Sequence, residues 1–311
     1  MSTQGRAANQ QMLQHLAQHY GIAIYYEDRE QRAAYASALA RQADLPEDVV
    51  HFALLGDERY DLYGAARNAL LLDTLDELCV QVDDDTVCKI ATMPEARAGL
   101  RLHTRGRLFD HQYFATYQAV LDALTFEEKD FLGLHETLLG KDLATCIDAL
   151  EDPDKMINID AVDDVLFQHT ERHQLTVALS FLGTAGDAGA SLNLYRLFSE
   201  GDEHQRLIRD ETSYHVLLNT RYLLRGSAQP TISNSPACFT INIGLDNRTF
   251  IPPFMPILRG EDNDLEGDLD EKRKQFHTLL NQFGDLLICW PALTAAARAL
   301  RLQDRRLARK V

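Results

Sequence analysis

The chain has 311 residues, of which 45% are hydrophobic and 25% are charged, a composition typical of a globular protein with one large domain or two modest ones. Its formal net charge of −16 excludes broad binding to a nucleic-acid backbone, which requires a basic surface. The same charge permits a nucleotide that is bound through a divalent cation, because the cation reverses the local sign.

The cysteines indicate a reducing compartment. All five are far apart in the sequence and none forms a C-x-x-C pair, so reduced, buried thiols in a cytoplasmic protein are expected. No secretory signal and no apolar run long enough to span a bilayer is predicted.

The first part of the chain alternates between helical and strand-like patterns, which favours βαβ units on a mostly parallel sheet. The predicted elements are a helix over residues 1–20 that ends at Gly21, a strand over 22–26, a helix over 30–43, a helix after Pro46, and a short strand or helix end over 52–57.

Three consecutive aspartates follow the next pair of elements. A helix is predicted over residues 64–72 and an apolar strand over 78–82, which ends in Asp83, Asp84 and Asp85. Ionised carboxylates are too costly to bury unpaired, so we expect them in solvent or against a cation. Oxygen ligands such as Asp83 and Asp85 suit Mg²⁺ or Mn²⁺. A polar turn without a metal is the alternative, since Asp competes well for local backbone hydrogen bonds.

The middle of the chain carries weaker signals. Residues 87–115 are polar, and the four arginines among them suit either a nearby diphosphate or a solvated loop: Arg97, Arg101, Arg105 and Arg107. Residues 114–150 predict helices, and His135 is interpreted as structural because it lacks the i, i+4 partner of a zinc helix. The acidic residues within 150–173 do not have the spacing of a calcium loop and are interpreted as a solvated face.

The next stretch contains a glycine-rich segment. Residues 176–182 predict a strand, and the glycines that follow predict either a turn close to a ligand or a tight turn without one. A helix over 192–198 would begin at this turn, and its N-terminal N–H groups could face an anion. Residues 203–225 are predicted to be helical and 239–244 to be a strand.

The last part of the chain contains an acidic pair after a proline-rich segment. Three prolines between 252 and 256 predict an extended segment, after which Glu261 and Asp262 open a helix. The helix macrodipole alone favours acids at such a position. The remaining residues predict a helix with a basic end that suits contact with a peripheral membrane surface or a protein partner.

The order of these features resembles GT-A fold glycosyltransferases, in particular family-2-like members of the nucleotide-diphospho-sugar transferase superfamily. The resemblance is carried by Arg67 and Asn68 on a helix, by the D-x-D of residues 83–85 after a strand, and later by Glu261 and Asp262. It covers about residues 20–90 and 175–270.

The resemblance implies a fold and a domain division. The expected fold is α/β and GT-A-like, with a mixed, mostly parallel sheet flanked by helices and with additional helical segments. The usual N-terminal strands are absent, because residues 1–20 look helical. The expected domains are a catalytic domain over 1–270, with a helical insertion at about 108–172, and a C-terminal helical extension over 271–311. A sheet edge left uncovered by the missing strands favours a homo-oligomer.

The resemblance also implies a metal-dependent glycosyltransferase that moves a sugar from a nucleoside-diphosphate donor to an unidentified hydroxyl acceptor, with inversion. Asp83 and Asp85 would hold Mn²⁺ or Mg²⁺, while Arg67, Asn68, Asp83 and Asp84 would bind the donor. Asp262, with Glu261 beside it, would be the general base. Two alternatives remain: a nucleotidyltransferase, and a non-catalytic binding or scaffold protein on a degraded GT-A fold.

Overall fold

A computed structural model of the chain describes residues 3–57, 63–83, 85–93, 95–103, 109–159, 175–187, 201–233, 241–257 and 269–308. The chain divides into two compact units, which we call the helical unit (residues 1–76 with 250–311) and the sheet unit (residues 77–249). These boundaries differ from the expected division at residue 270.

The helices of the described chain are, in order, α1 (Thr3–Tyr20), α2 (Arg29–Ala43), α3 (Glu47–Leu55), α4 (Tyr63–Asp73), α5 (Tyr117–Asp122), α6 (Phe131–Glu136), α7 (Leu143–Asp148), α8 (Pro153–Met156), α9 (Gly201–Ile208), α10 (Glu211–Asn219) and α11 (Leu269–Ala308).

The strands are mostly short: β1 (Leu78–Val82), β2 (Ile90–Thr92), β3 (Leu100–Leu102), β4 (Asp110–Phe114), β5 (Thr125–Glu127), β6 (Ile157–Ile159), β7 (Leu179–Phe181), β8 (Thr184–Asp187), β9 (Tyr222–Gly226), β10 (Thr231–Ile232) and β11 (Asn242–Asp246). The chain is therefore a mixed α/β protein, which confirms the coarse fold class.

The ends of the first helices follow local sequence signals. Asp28 caps α2 through a capping box with Gln31, in which each side chain accepts a hydrogen bond from the other residue's backbone N–H. Gly21 follows α1 with a φ of 66°, a left-handed conformation that glycine adopts without steric cost. Both helices are confirmed close to their predicted bounds.

The helical unit packs α11 against α2, α3 and α4 around a core of large aliphatic side chains and one tryptophan. Trp290 is 1% exposed, and its indole Nε1 donates a hydrogen bond of 2.9 Å to the Ile251 carbonyl. Apolar contact and a satisfied indole N–H together fix α11 to this unit.

The strand predicted at residues 22–26 is wrong. These residues follow α1 without helix or strand structure, and Tyr25 is 93% exposed. The described residues of the helical unit contain no strand, so this apolar stretch has no neighbour among them with which to form a ladder.

The described strands form four small sheets, with the orders β1-β11-β7, β10-β3-β6, β2-β5 and β4-β9-β8. Of these four, only β10-β3-β6 is parallel, and β1 pairs antiparallel with β11. The expectation of a mostly parallel sheet is therefore wrong. The partner of β1 comes from far along the chain and runs in the opposite direction, whereas a βαβ unit would have supplied a parallel neighbour through a short crossover.

The segments predicted to be wholly helical contain strands. The insertion at about 108–172 includes β4, β5 and β6 beside its short helices, and residues 222–226 form β9. A short apolar run has the same composition in a strand and in a buried helix, so periodicity does not separate the two.

Among the described residues, one segment meets the length and mean hydropathy of a membrane-spanning helix. It is 282–301 in α11, with 28% of its apolar window buried inside the protein. A core helix of a globular protein passes the same test, and Leu286, Trp290 and Leu293 of this segment are core residues.

Candidate metal and nucleotide site

The aspartate turn, residues 83–86, begins where β1 ends. Within the described chain β1 lies at an edge of its sheet, and its ladder with β11 extends to Asp83, whose N–H donates to the Ile241 carbonyl at 2.9 Å. The Thr86 N–H then donates to the Asp83 carbonyl at 3.1 Å, which reverses the chain. Asp83 is half-buried and Asp85 is exposed, so both carboxylates are at the carboxyl end of the strand, as predicted.

The metal-ligand prediction stays a prediction. Asp84 lies outside the described residues, and among those that are described no group of three or more His, Cys, Asp or Glu side chains could hold a metal ion. Asp83 and Asp85 alone offer carboxylate oxygens from one turn. Mg²⁺ commonly takes only one or two protein carboxylates and completes its shell with water and phosphate oxygens, so this pair fits such an ion.

Asn68 is fully buried on α4. Its amide Nδ2 donates to the Ala53 carbonyl at 3.0 Å and to the Phe254 carbonyl at 2.9 Å, and its Oδ1 accepts from the Phe254 N–H at 2.7 Å. The predicted donor-binding role of Asn68 would require these bonds to break. The amide instead holds α4 between α3 and the proline-rich segment.

Two other residues of the predicted motif lie on the same helix. Arg67 is half-buried. A Cβ at Gly64 would fall on the Met255 backbone, and the next N–H, of Ala65, donates to the Pro256 carbonyl at 3.1 Å. The glycine at the start of the predicted helix is therefore required by close backbone packing.

The predicted site residues are distributed over both units. Arg67 and Asn68 belong to the helical unit, while Asp83 and Asp85 belong to the sheet unit. Glu261 and Asp262 lie outside the described residues.

Of the other basic candidates, Arg97 is exposed on the segment before β3. Arg101 is in β3, and Arg105 and Arg107 lie outside the described residues. Residues 184–187 of the glycine-rich segment form β8, which pairs with β9, so the expectation of a turn is wrong for these residues. The rest of that segment and the helix predicted over 192–198 lie outside the described residues. Gly183, with a φ of 86°, lets β8 approach the Arg225 carbonyl.

Two buried carboxamides lie beside the aspartate turn. Gln81 in β1 is 6% exposed, and neither its Oε1 nor its Nε2 has a hydrogen-bond partner in the described chain. Asn242, opposite Val82 in β11, is also 6% exposed; its Nδ2 donates to the Gly183 carbonyl at 2.7 Å, while its Oδ1 has no partner in the same residues. Sequence reasoning missed Gln81, although a polar residue inside the apolar run of β1 was the available signal.

A histidine–serine pair covers the middle of this sheet. His135 is 1% exposed, shares a 2.7 Å hydrogen bond between its Nδ1 and Ser180 Oγ, and packs edge-to-face on Phe131 at 5.1 Å. Burial lowers the pKa of His135 below its usual range, because the imidazolium loses hydration there. This is the packed position that the sequence indicated for His135.

An ion pair holds the far end of β11. Arg248 donates from Nε and Nη2 to the two carboxylate oxygens of Asp246, at 2.7 and 2.8 Å, and Nη2 also donates to the Gly140 carbonyl at 3.1 Å. These hydrogen bonds hold the pKa of Asp246 below its usual range. The pair ties the end of β11 to the turn after α6.

Comparisons with protein-family models, with curated proteins and with solved structures found no match to this chain.

Proposed function

We propose that this chain is a metal-dependent glycosyltransferase that binds a nucleoside-diphosphate sugar at the aspartate turn. The observation that supports the proposal is the position of Asp83 and Asp85, which follow the edge strand β1 in a single turn, Asp83 half-buried and Asp85 exposed. In a chain with a net charge of −16, a cation at this turn would also offset carboxylate repulsion.

Asp83 and Asp85 would hold Mg²⁺ or Mn²⁺ in this proposal. The ion would supply charge neutralisation for the diphosphate leaving group. Asp83 and Asp84 would also bind the donor.

Asp262 is the proposed general base, with Glu261 beside it. A carboxylate within hydrogen-bond reach of the acceptor hydroxyl takes its proton as that oxygen attacks the anomeric carbon. A single base on the face opposite the leaving group gives inversion at that carbon.

A second candidate is a non-catalytic nucleotide-binding or scaffold protein on a degraded fold of the same kind. The observation that favours it is Asn68, whose amide is fully used by three backbone groups instead of being presented to a donor. A protein of this kind would bind the diphosphate without transferring a sugar.

Calorimetry with UDP, GDP and TDP, with and without Mn²⁺, tests both candidates. Metal-dependent binding of a diphosphate that is lost in Asp85→Asn and retained in Asp148→Asn, an exposed aspartate on α7, is the result expected from either. Sugar release from the matching donor, abolished by Asp262→Asn, would select the transferase. Binding without release in the wild type would select the non-catalytic nucleotide-binding protein. No nucleotide binding by the folded protein would contradict the transferase and favour a scaffold that does not bind nucleotides.

A further inference from the structure

The carboxamide of Gln81 is a buried polar group whose hydrogen-bonding capacity is unused. Its side chain is 6% exposed, and both its Oε1 and its Nε2 are without partners in the part of the chain that the structure describes. Leaving one buried amide group unpaired is costly, and leaving both atoms unpaired is rare in folded proteins. A ligand that supplies both partners would remove this penalty.

The position of Gln81 connects it with the aspartate turn. Side chains two residues apart on a strand point to the same face, so Gln81 shares a face of β1 with Asp83, whose Cα is about 7 Å further along the chain. The ladder places Gln81 opposite Ile243, and Ile243 opposite Phe181. The unused amide is therefore on the same face as, and next to, the proposed diphosphate site.

The neighbours of Gln81 on that face are apolar, and one of them is aromatic. Phe181 packs edge-to-face on Phe109 with ring centroids 5.0 Å apart, and Ile243 is 2% exposed. Apolar and aromatic walls with one polar group at a defined place are typical of small-molecule sites. Asn242 is on the opposite face, with its Nδ2 bound to Gly183, and takes no part.

We propose that the Gln81 carboxamide recognises a ring N–H and the carbonyl beside it on the donor's nucleobase. An amide presents one N–H donor and one carbonyl acceptor side by side, in one plane. Uracil, thymine and guanine each present a ring N–H beside a carbonyl, which is the complementary pattern, so two hydrogen bonds form at once. This inference rests on the proposed nucleotide site and adds the group that selects the base.

The test compares a nucleotide with its ring-N-methylated counterpart. The probe is whichever of UDP, GDP and TDP binds tightest with Mn²⁺. It is compared with the same diphosphate methylated on the ring nitrogen that carries this N–H. Methylation removes the ring N–H from which Gln81 Oε1 accepts a hydrogen bond and leaves this buried acceptor unpaired. The wild type should therefore bind the methylated nucleotide about tenfold or more weakly than the unmethylated one. In Gln81→Met, which has a similar shape and no amide, both nucleotides should bind weakly and about equally.

Gln118→Met is the matched control, because Gln118 is exposed on α5. It should keep the wild-type discrimination. If Gln81→Met binds the nucleotide and still discriminates against the methylated form as the wild type does, this inference is overturned and the aspartate site stands. If the wild type binds no nucleotide, both are overturned.

Thermal unfolding of the free protein gives a second readout. Because the amide is unpaired without ligand, replacing it by an apolar side chain of similar size should raise the Tm of the free protein or leave it unchanged. A clear fall in Tm for Gln81→Met would show that the protein itself satisfies the amide, and would overturn the inference without bearing on the aspartate turn.

Discussion

The side chain of Asn68 holds three backbone groups at once, two carbonyls and one N–H, on two segments that flank α4. In the sequence, Asn68 follows Arg67 in the helix that carries the first part of the resemblance. A buried amide satisfied in this way contributes to the stability of the helical unit, whatever else the motif does.

Replacing Asn68 tests this role. Asn68→Ala removes all three bonds and leaves the Ala53 and Phe254 groups without those partners, so the free energy of unfolding should fall by about 3 kcal/mol. Asn219→Ala removes an exposed amide that bonds only its own helix and should change stability by less than about 0.5 kcal/mol. Urea denaturation measures both, and equal effects would contradict the structural role.

His135 makes the stability of the sheet unit sensitive to acid. Its folded-state pKa is lowered by burial, while the unfolded value is about 6.5. The unfolded chain therefore takes up the proton first, so the contribution of His135 is fully present above pH 6.5 and is lost as the pH falls towards the folded pKa.

The expected slope is at most about 1.4 kcal/mol per pH unit, the value for one proton. His135→Asn should be less stable at pH 8 but should lose less on acidification to pH 5, as followed by urea unfolding at each pH. His215→Asn, which removes an exposed histidine on α10, should keep the wild-type slope. If the stability of His135→Asn fell with pH as steeply as that of the wild type, His135 would not be the source of the acid sensitivity.

At the scale of secondary-structure elements, β11 depends on a glycine at its centre. A Cβ on Gly244 would fall on Ser180 Oγ and within 2.9 Å of His135 Nδ1. Ser180 could rotate away only by giving up its hydrogen bond to His135. Gly244→Ala should therefore destabilise the protein by about 2 kcal/mol.

At Gly284, in contrast to Gly244, an added Cβ should stabilise the protein. Gly284 lies inside α11 with nothing within 4 Å of an added Cβ, so Gly284→Ala should stabilise the protein by up to about 1 kcal/mol through helix propensity. Thermal or urea unfolding of the two variants should give changes of opposite sign. Two changes of the same sign would contradict the packing described for β11.

Elements with strong local signals could be predicted, and those that depend on distant partners could not. The helices α1 to α4 could be predicted from apolar periodicity, N-terminal caps and glycines at the helix ends. The strand β1 could be predicted from an apolar run that ends in charged residues. The antiparallel partner of β1 comes from residues 242–246, and nothing in the local sequence of either strand encodes that register. Strands of three residues, such as β2 and β3, are too short for a period to show.

At the scale of the whole molecule, the predicted site residues belong to two compact units. The N-terminal helices and α11 form the helical unit, while the aspartate turn and its sheet form the other. The position of Asp83 and Asp85 at the end of β1 could be predicted, because ionised carboxylates are too costly to bury unpaired in a core. The role of Gln81 could not, because an unused amide is recognised only once its surroundings are known.

The measurement that tests the central claim most directly is calorimetric titration of the full chain with UDP, GDP and TDP, with and without Mn²⁺, on the wild type, on Asp85→Asn and on Asp148→Asn. We expect one diphosphate to bind only with the metal, with affinity reduced at least tenfold in Asp85→Asn and unchanged in Asp148→Asn. Absence of binding in a folded wild type, or equal binding in Asp85→Asn, would contradict a donor site at the aspartate turn.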